Sequence, residues 1–439
     1  MIKEILSPGK KIKKIRKEFK IRQHEITGGE ITRELISIIE NDKSKLRPNV
    51  AEIIAENINK LCKERNIDFH LTASYLVEDV NFQANKIADE YIEYLKTIED
   101  GDLKYFMETV KEIEAFLMQY DVFEKKSTLY EEIGDLLKHK KEYNKSYTYY
   151  IKAFENHNRL FNDLQLVILL LKTGSLCILL TRYREALDFN NLALNYNINI
   201  PEDLKYKLIF NTALAYKKLS EYDNTIKEVE HIETTLKNLT KQDIFDLTVL
   251  KANTFRAKNL YADALQLNEL LLDSMDITCH ENIILLTSNI IDIYTVLKDS
   301  KNIKIYIDKL IYYINNFEDI SENVYLCGIC NQIGESSMLI GAMDQAKKYY
   351  SRSIKACKHH RNKEVLEESL NALLAILIEE NDLLQINKFK NELLELMKLD
   401  AILPNTIILF KLINYYNTIG ETETISNLLE FTLNFTLAN

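Results

Sequence analysis

Two markers recur along this chain in constant phase. A small or apolar residue falls at Gly134, Gly174, Ala213, Ala252, Ile291, Gly334, Leu374 and Ile413, at spacings of 40, 39, 39, 39, 43, 40 and 39. A second falls twelve positions on, at Ser146, Ala186, Thr225, Ala264, Ile303, Ala346, Ile386 and Ile425. Each copy reads as two helices joined by a tight turn. Small residues where the helices meet let antiparallel partners approach closely. Tyr325–Ile354 shows this most plainly, with Gly334 and Ala346 at the contact and a turn at Gly341-Ala342-Met343-Asp344. A pair this short cannot bury its apolar face alone, so the copies must stack. The reading is a helical solenoid of about eight units over residues 121–439.

Four prolines and ten glycines in 439 residues agree with a chain that is almost wholly helical. No stretch approaches the ~18 uninterrupted apolar residues that span a bilayer. The most apolar, Leu164 to Leu180, is broken by Gln165, Lys172, Thr173, Gly174 and Ser175. The basic N-terminus has no apolar core after it, so no signal peptide is visible and a cytoplasmic protein is expected. The six cysteines are scattered; Cys327 and Cys330 form a C-x-x-C inside an expected helix, with no second pair to complete a zinc site. They read as buried residues, and His359-His360 as a solvated helix end. No P-loop, G-x-S-x-G or H-E-x-x-H motif is present, and Glu131-Glu132 and Glu379-Glu380 read as exposed helix residues. Neither an enzyme nor a cofactor or metal site is expected.

Charge is uneven. Residues 1–50 hold 13 Lys and Arg against 7 Asp and Glu, so a chain of net charge −10 has a +6 head and −16 over the rest. A basic head on an acidic body points to a polyanion met by the head alone. Ser7-Pro8 is a helix start, followed by an apolar stripe of Ile12, Ile15 and Phe19 among Lys10, Lys11, Lys13, Lys14, Arg16, Lys17 and Lys20. A short helix begins near Gln23 and stops at Gly28-Gly29. Another is capped by Thr32 and turns Leu35, Ile36 and Ile39 inward. Pro48 opens the next, with Val50, Ile53, Ile54 and Ile58 as its stripe.

From Gly9 to Asn59 these features resemble the lambda-repressor-like, or XRE, helix-turn-helix domain: Gln23 opening the second helix, Thr32-Arg33 the third, and the run Leu35-Ile36-Ser37-Ile38-Ile39-Glu40-Asn41. The resemblance implies a domain over residues 1–80 that binds double-stranded operator DNA. The N-terminus of such a third helix faces base edges in the major groove. Arg33 can donate twice to guanine and Glu34 can accept from cytosine, while Thr32 and Ser37 reach a base or a phosphate. Gln23, Asn41 and Lys43 suit phosphate oxygens. Residues 81–120 read as a helical connector with a possible dimer-forming role.

The repeats resemble tetratricopeptide repeats, best in Tyr130, Ile133, Gly134, Leu137, Ser146, Tyr150 and Ala153. In that frame the first helices of a right-handed stack line the concave wall. They bring to it Lys207, Asn211, Lys217, Asp246, Asn253, Arg256, Ser288, Asn289, Asp292, Asn331, Gln332, Glu335 and Asn371. An asparagine amide donates and accepts, so it can satisfy the backbone of an extended peptide. A chain rich in Asn, Ile and Lys throughout would carry such residues anyway, and that reading stays open. Of these, Lys207, Asn211, Asn253, Arg256, Asn289, Asp292, Asn331, Gln332 and Glu335 are the peptide-binding candidates.

A repressor-like head on a tetratricopeptide-like array resembles the RRNPP regulators (Rap, Rgg, NprR, PlcR and PrgX). That resemblance implies an all-α, homodimeric transcription factor in which a short signalling peptide on the solenoid alters DNA binding, as in quorum sensing. The alternative is a solenoid scaffold for a protein partner, without peptide control of DNA.

Overall fold

The computed structural model describes residues 4–98, 102–157, 164–196, 198–316, 325–360, 362–398 and 407–438. Among them there is helix and no strand. The chain forms two compact units, Met1–Asn238 and Leu239–Asn439.

The first unit begins with α1 (Pro8–Glu18), a 3-10 turn (Gln23–Ile26), α2 (Arg33–Glu40), α3 (Pro48–Glu64) and α4 (Ala73–Val77). Two N-caps expected from the sequence are made: Ser7 accepts from Lys10 N and Thr32 from Leu35 N. The second helix is a single 3-10 turn. Ile12, Ile26, Ile36, Ile54, Ile58 and Leu76 form a separate core for this head. Lys11 does not share the solvated basic face. It is buried, its Nζ donating to the Tyr75 and Glu78 carbonyls at 2.6 and 3.0 Å. It also lies 4.2 Å over the Tyr75 ring. Burial pulls its pKa down, against the attraction of Glu78.

Next come α5 (Val80–Thr97) and α6 (Leu103–Gln119). Gln83 near the start of α5 takes both backbone groups of Leu6: Leu6 N donates to Oε1 at 3.3 Å, and Nε2 donates to Leu6 O at 2.7 Å. The connector helices are no loose tether. Ile92, Phe106, Val110 and Phe116 share one core with Ile133, Tyr149 and Tyr150 of the first repeat. Residues 99–101 of the expected connector lie outside the described residues.

The repeats follow as eight pairs. In the first unit they are α7 (Phe123–His139) with α8 (Tyr143–Glu155), α9 (Leu164–Leu179) with α10 (Tyr183–Leu194), and α11 (Glu202–Lys218) with α12 (Tyr222–Thr235). In the second they are α13 (Lys241–Ala257) with α14 (Tyr261–Ser274), α15 (His280–Leu297) with α16 (Ser300–Asn316), and α17 (Leu326–Leu339) with α18 (Met343–His360). The last two are α19 (Lys363–Glu379) with α20 (Leu383–Lys398), and α21 (Ile407–Thr418) with α22 (Thr422–Ala438).

Every marker lies on the helix expected of it. Ala213, Ala252, Ile291, Leu374, Ala186, Ala264, Ile303, Ala346 and Ile386 are fully buried. The glycine markers have a sharper reason than crossing distance alone. A Cβ on Gly134 would stand 2.5 Å from the Tyr150 ring, and one on Gly334 2.7 Å from Tyr350; on Gly174 it would meet Asn190 Oδ1 at 2.4 Å. The space a side chain would take holds the residue sixteen positions on.

All eight turns share one geometry. Lys141, Thr181, Ser220, Asn259, Lys298, Gly341, Asn381 and Gly420, each seven positions past the first marker, have φ between 52° and 79°. The following N–H reaches back five residues, as from Glu142 to Leu137 O at 2.9 Å and from Glu221 to Tyr216 O at 2.9 Å. This is the Schellman closure, usually built on glycine. Here six of the eight left-handed positions carry a side chain.

Candidate ligand-binding faces

In the head, Ile36 and Ile39 anchor α2 by burial, leaving Arg33 and Glu34 exposed in its first turn and Ser37 half-buried one turn on. Ile38, 43 % exposed, lies one turn after Glu34. Lys43 is exposed just beyond the helix. The other candidates there have partners within the fold. Thr32 spends its hydroxyl on the cap, and Asn41 donates to Ser37 O at 2.8 Å. Gln23 donates to Glu40 Oε2 at 2.8 Å, turning its amide inward rather than toward a phosphate. Glu40 is buried and also takes Arg16 at 2.7 and 3.0 Å. That paired hydrogen bond raises the Arg16 pKa against its burial.

On the array, the first helices bond to one another by a repeated rule. A group one position after the marker meets a group two positions before the marker of the next unit. In the first unit Lys172 reaches Asp135 at 2.6 Å, and Asn211 donates to Ser175 Oγ at 2.8 Å. Lys172 also holds Glu131 at 2.6 Å, while Gln165 donates to Glu131 at 2.8 Å. Glu131 is therefore buried, correcting its reading as an exposed residue. Burial lowers the Lys172 pKa, but the bonds to Asp135 and Glu131 outweigh it and leave the ammonium above its ordinary value. Lys207 is exposed on α11.

In the second unit the same rule joins Gln332 Nε2 to Asp292 Oδ1. Gln332 also donates to Ser288 O at 2.9 Å and accepts from Ser288 Oγ. Arg256 pairs with the same Asp292, and Asn253 lies half-buried a turn before it. Asn331 is buried: its amide spans Glu335 and Glu368 at 3.3 Å each, and its oxygen accepts from Ser369 at 2.7 Å. Asn289 leaves this face altogether. It is buried and donates toward Asn268 of α14 at 3.4 Å, because one residue's step turns a helical side chain by about 100° away from Ser288. Glu335 and Glu368 stay exposed. The Glu335 pKa is raised, first by the crowding protein and then by Glu368 and Asp292.

Toward the N-terminal ends of α15 and α17 opens a cavity of about 470 Å³, lined by Glu281, Asn282, Ile284, Leu285 and Ser288 of α15 and by Tyr325, Gly328 and Ile329 at the start of α17. Sequence reasoning missed this cavity, and it missed Glu368 and Ser369. The complementary pairs Asp135/Lys172 and Asp292/Gln332 were the signal that could have exposed the inter-unit rule. Cys327 and Cys330 are buried, as expected, and burial pushes the Cys330 thiol up to about 12. No group of metal-ligating side chains occurs among the described residues. No described helix is long and apolar enough to cross a membrane.

No family model matches the chain, and no curated protein does. Among solved structures, the fold is similar to that of a tetratricopeptide repeat protein from Parabacteroides merdae, with a TM-score of 0.49 at 15 % identity over 66 % of this chain and 99 % of that one. It is similar to the apo form of the quorum sensor NprR from B. thuringiensis, with a TM-score of 0.46 at 16 % identity over 82 % and 100 %. Apo RapI gives a TM-score of 0.51 at 14 % identity, over 89 % of this chain and 97 % of that one. The chain has an all-α, tetratricopeptide-like repeat fold similar to that of RapI.

Proposed function

We propose that this chain is a peptide-responsive DNA-binding transcriptional regulator. In this reading residues 1–80 are a helix-turn-helix domain, residues 81–120 connect it to the array, and the array over 121–439 takes a short signalling peptide. The observation that carries the DNA half is α2: a helix capped by Thr32, seated on the head's core, with Arg33 and Glu34 exposed at its N-terminus in the most basic part of the chain. Arg33, Glu34 and Ser37 are the base-reading set and Lys43 a phosphate contact. Gln23, Thr32 and Asn41 position α2 from within.

The peptide half is supported by the face of α13, α15 and α17, which carries Asn253, Arg256, Asp292, Gln332 and Glu335, and by the cavity between α15 and the start of α17, large enough for a side chain. The fold shared with RapI and the sequence resemblance to RRNPP regulators agree with this assignment. The peptide can shift DNA affinity only by binding two arrangements of the protein unequally, and DNA must shift peptide affinity by the same factor. Function as a homodimer belongs to the same proposal.

Two selections test it. Randomised duplexes incubated with the full chain should yield a recurring site whose affinity falls steeply with salt. A random heptapeptide library on the immobilised chain should enrich binders that change that affinity. Duplex binding without peptide effect would leave a DNA-binding scaffold; no duplex binding would overturn the reading.

A further inference from the structure

Gly328 is the odd one among the helical glycines described in the array, Gly341 and Gly420 being turn glycines. A Cβ on Gly134, Gly174 or Gly334 would strike a neighbour, but one on Gly328 meets nothing within 4 Å. A glycine inside a helix costs up to about 1 kcal/mol relative to alanine. At Gly134, Gly174 and Gly334 close packing offsets that cost; Gly328, the third residue of α17, has no such packing. What the missing side chain leaves open is the mouth of the cavity between α15 and α17, walled by Ile284, Leu285 and Ile329.

Each of these helices carries the same order of chemistry along its face. On α15 it runs from Leu285 through Ser288 to Asp292, and on α17 from Gly328 through Gln332 to Glu335. The amide and hydroxyl in the middle are bonded to each other. At the far end Asp292, Glu335 and Glu368 stand against Arg256, which pairs with Asp292. The surplus there is negative, and Glu335 is already destabilised as an anion by its surroundings.

Building on the peptide reading above, we infer that this site selects an extended peptide with an apolar side chain in the Gly328–Leu285 cavity and a Lys or Arg side chain among Asp292, Glu335 and Glu368. Seven helical residues separate the two ends, a rise of about 10 Å. An extended strand covers that in about three residues at roughly 3.3 Å each. Successive side chains of a strand point to opposite faces, so the two that face the wall are two positions apart, the long Lys or Arg side chain spanning the remaining ~3 Å. Charge complementarity sets the sign of the ligand and the cavity sets its apolar anchor.

The test uses the full chain and four fluorescein-labelled heptapeptides on a Ser/Gly background, read by anisotropy. The first carries Leu and Arg two positions apart, the second Leu and Glu at that spacing, the third Ala and Arg, and the fourth Leu and Arg adjacent, which puts them on opposite faces. The first should bind at least tenfold tighter than each of the others. Gly328→Leu, whose Cβ would meet no atom within 4 Å and whose side chain would enter the cavity, should bring the first probe down to the third. Glu335→Gln with Glu368→Gln should bring it down to the second. Equal or tighter binding of the Glu probe, or indifference to both variants, overturns the inference while peptide binding itself stands. If no probe binds, the inference falls; failure of the heptapeptide library as well would take the peptide reading with it.

Discussion

Gln332 donates to both the Asp292 carboxylate and the Ser288 carbonyl, so one amide from α17 closes two bonds onto α15. The polar residues of this face are therefore joints between units before they are contacts for anything else. A peptide entering here meets a partly satisfied surface. The groups still turned outward, Glu335 and Glu368 above all, decide what it prefers.

Replacing the base-reading candidate should separate affinity from fold. Arg33→Ala removes a bidentate donor from an exposed position, and a good pair of that kind is worth about 1–3 kcal/mol of discrimination. We expect weaker binding to the selected duplex, relaxed preference at one base pair and an unchanged melting temperature. Unaltered preference in a mobility-shift series would take Arg33 out of the reading set.

The left-handed turns offer a stability test. Thr181 is exposed and β-branched at φ 59°, a conformation that costs a side-chain-bearing residue about 1–2 kcal/mol. Glycine relieves that strain but gains freedom in the unfolded chain. Thr181→Gly should stabilise the protein by about 1 kcal/mol, seen as a higher midpoint in urea; a loss would mean the threonine makes contacts that repay its strain.

Tyr150 and Tyr350 occupy equivalent places against Gly134 and Gly334, but only one hydroxyl is satisfied. Tyr150 donates to Asp135 at 2.5 Å, whereas the buried Tyr350 hydroxyl has no partner. Tyr150→Phe should cost about 1–2 kcal/mol and Tyr350→Phe should be neutral or stabilising. Equal losses in chemical denaturation would contradict this asymmetry.

The Glu335 carboxyl sits above the ordinary glutamate range, despite an opposing bond from Asn331. A folded-state pKa that is raised means tighter proton binding in the native state. Its stabilising contribution is present at low pH and is lost as pH rises from the ordinary glutamate value through the raised one. Glu335→Gln abolishes that dependence. Its urea midpoint relative to wild type should climb as pH rises above the ordinary glutamate value of about 4.3, and a constant difference would refute the shift.

The repeat phase was legible because burial at a close contact restricts residue type: Gly134, Ala213 and Ala346 cannot be large without displacing the helix opposite. The face between units was less legible. Ser288 and Asn289 are adjacent in sequence, yet one bonds to Gln332 and the other turns inside toward Asn268. Lys11 looked like one more lysine of a basic helix, because its carbonyl acceptors come from residues more than sixty positions away. Glu131 was hidden for the same reason, its partner lying on the next unit. The turns themselves were legible, but their left-handed residue was not where it is Thr181 or Ser220, because a left-handed serine or threonine has no signature to match that of glycine.

The ties around Leu6 and Lys11 have a mechanical meaning. Gln83 grips both backbone groups of Leu6, and Lys11 bolts α1 to the chain leaving α4. To swivel the head on α5, both Gln83 bonds to Leu6 must break, while the Lys11 bonds keep α1 and α4 moving together. Short of that, torque on α5 turns the whole head as a crank turns its handle, and the exposed tip of α2 travels with it.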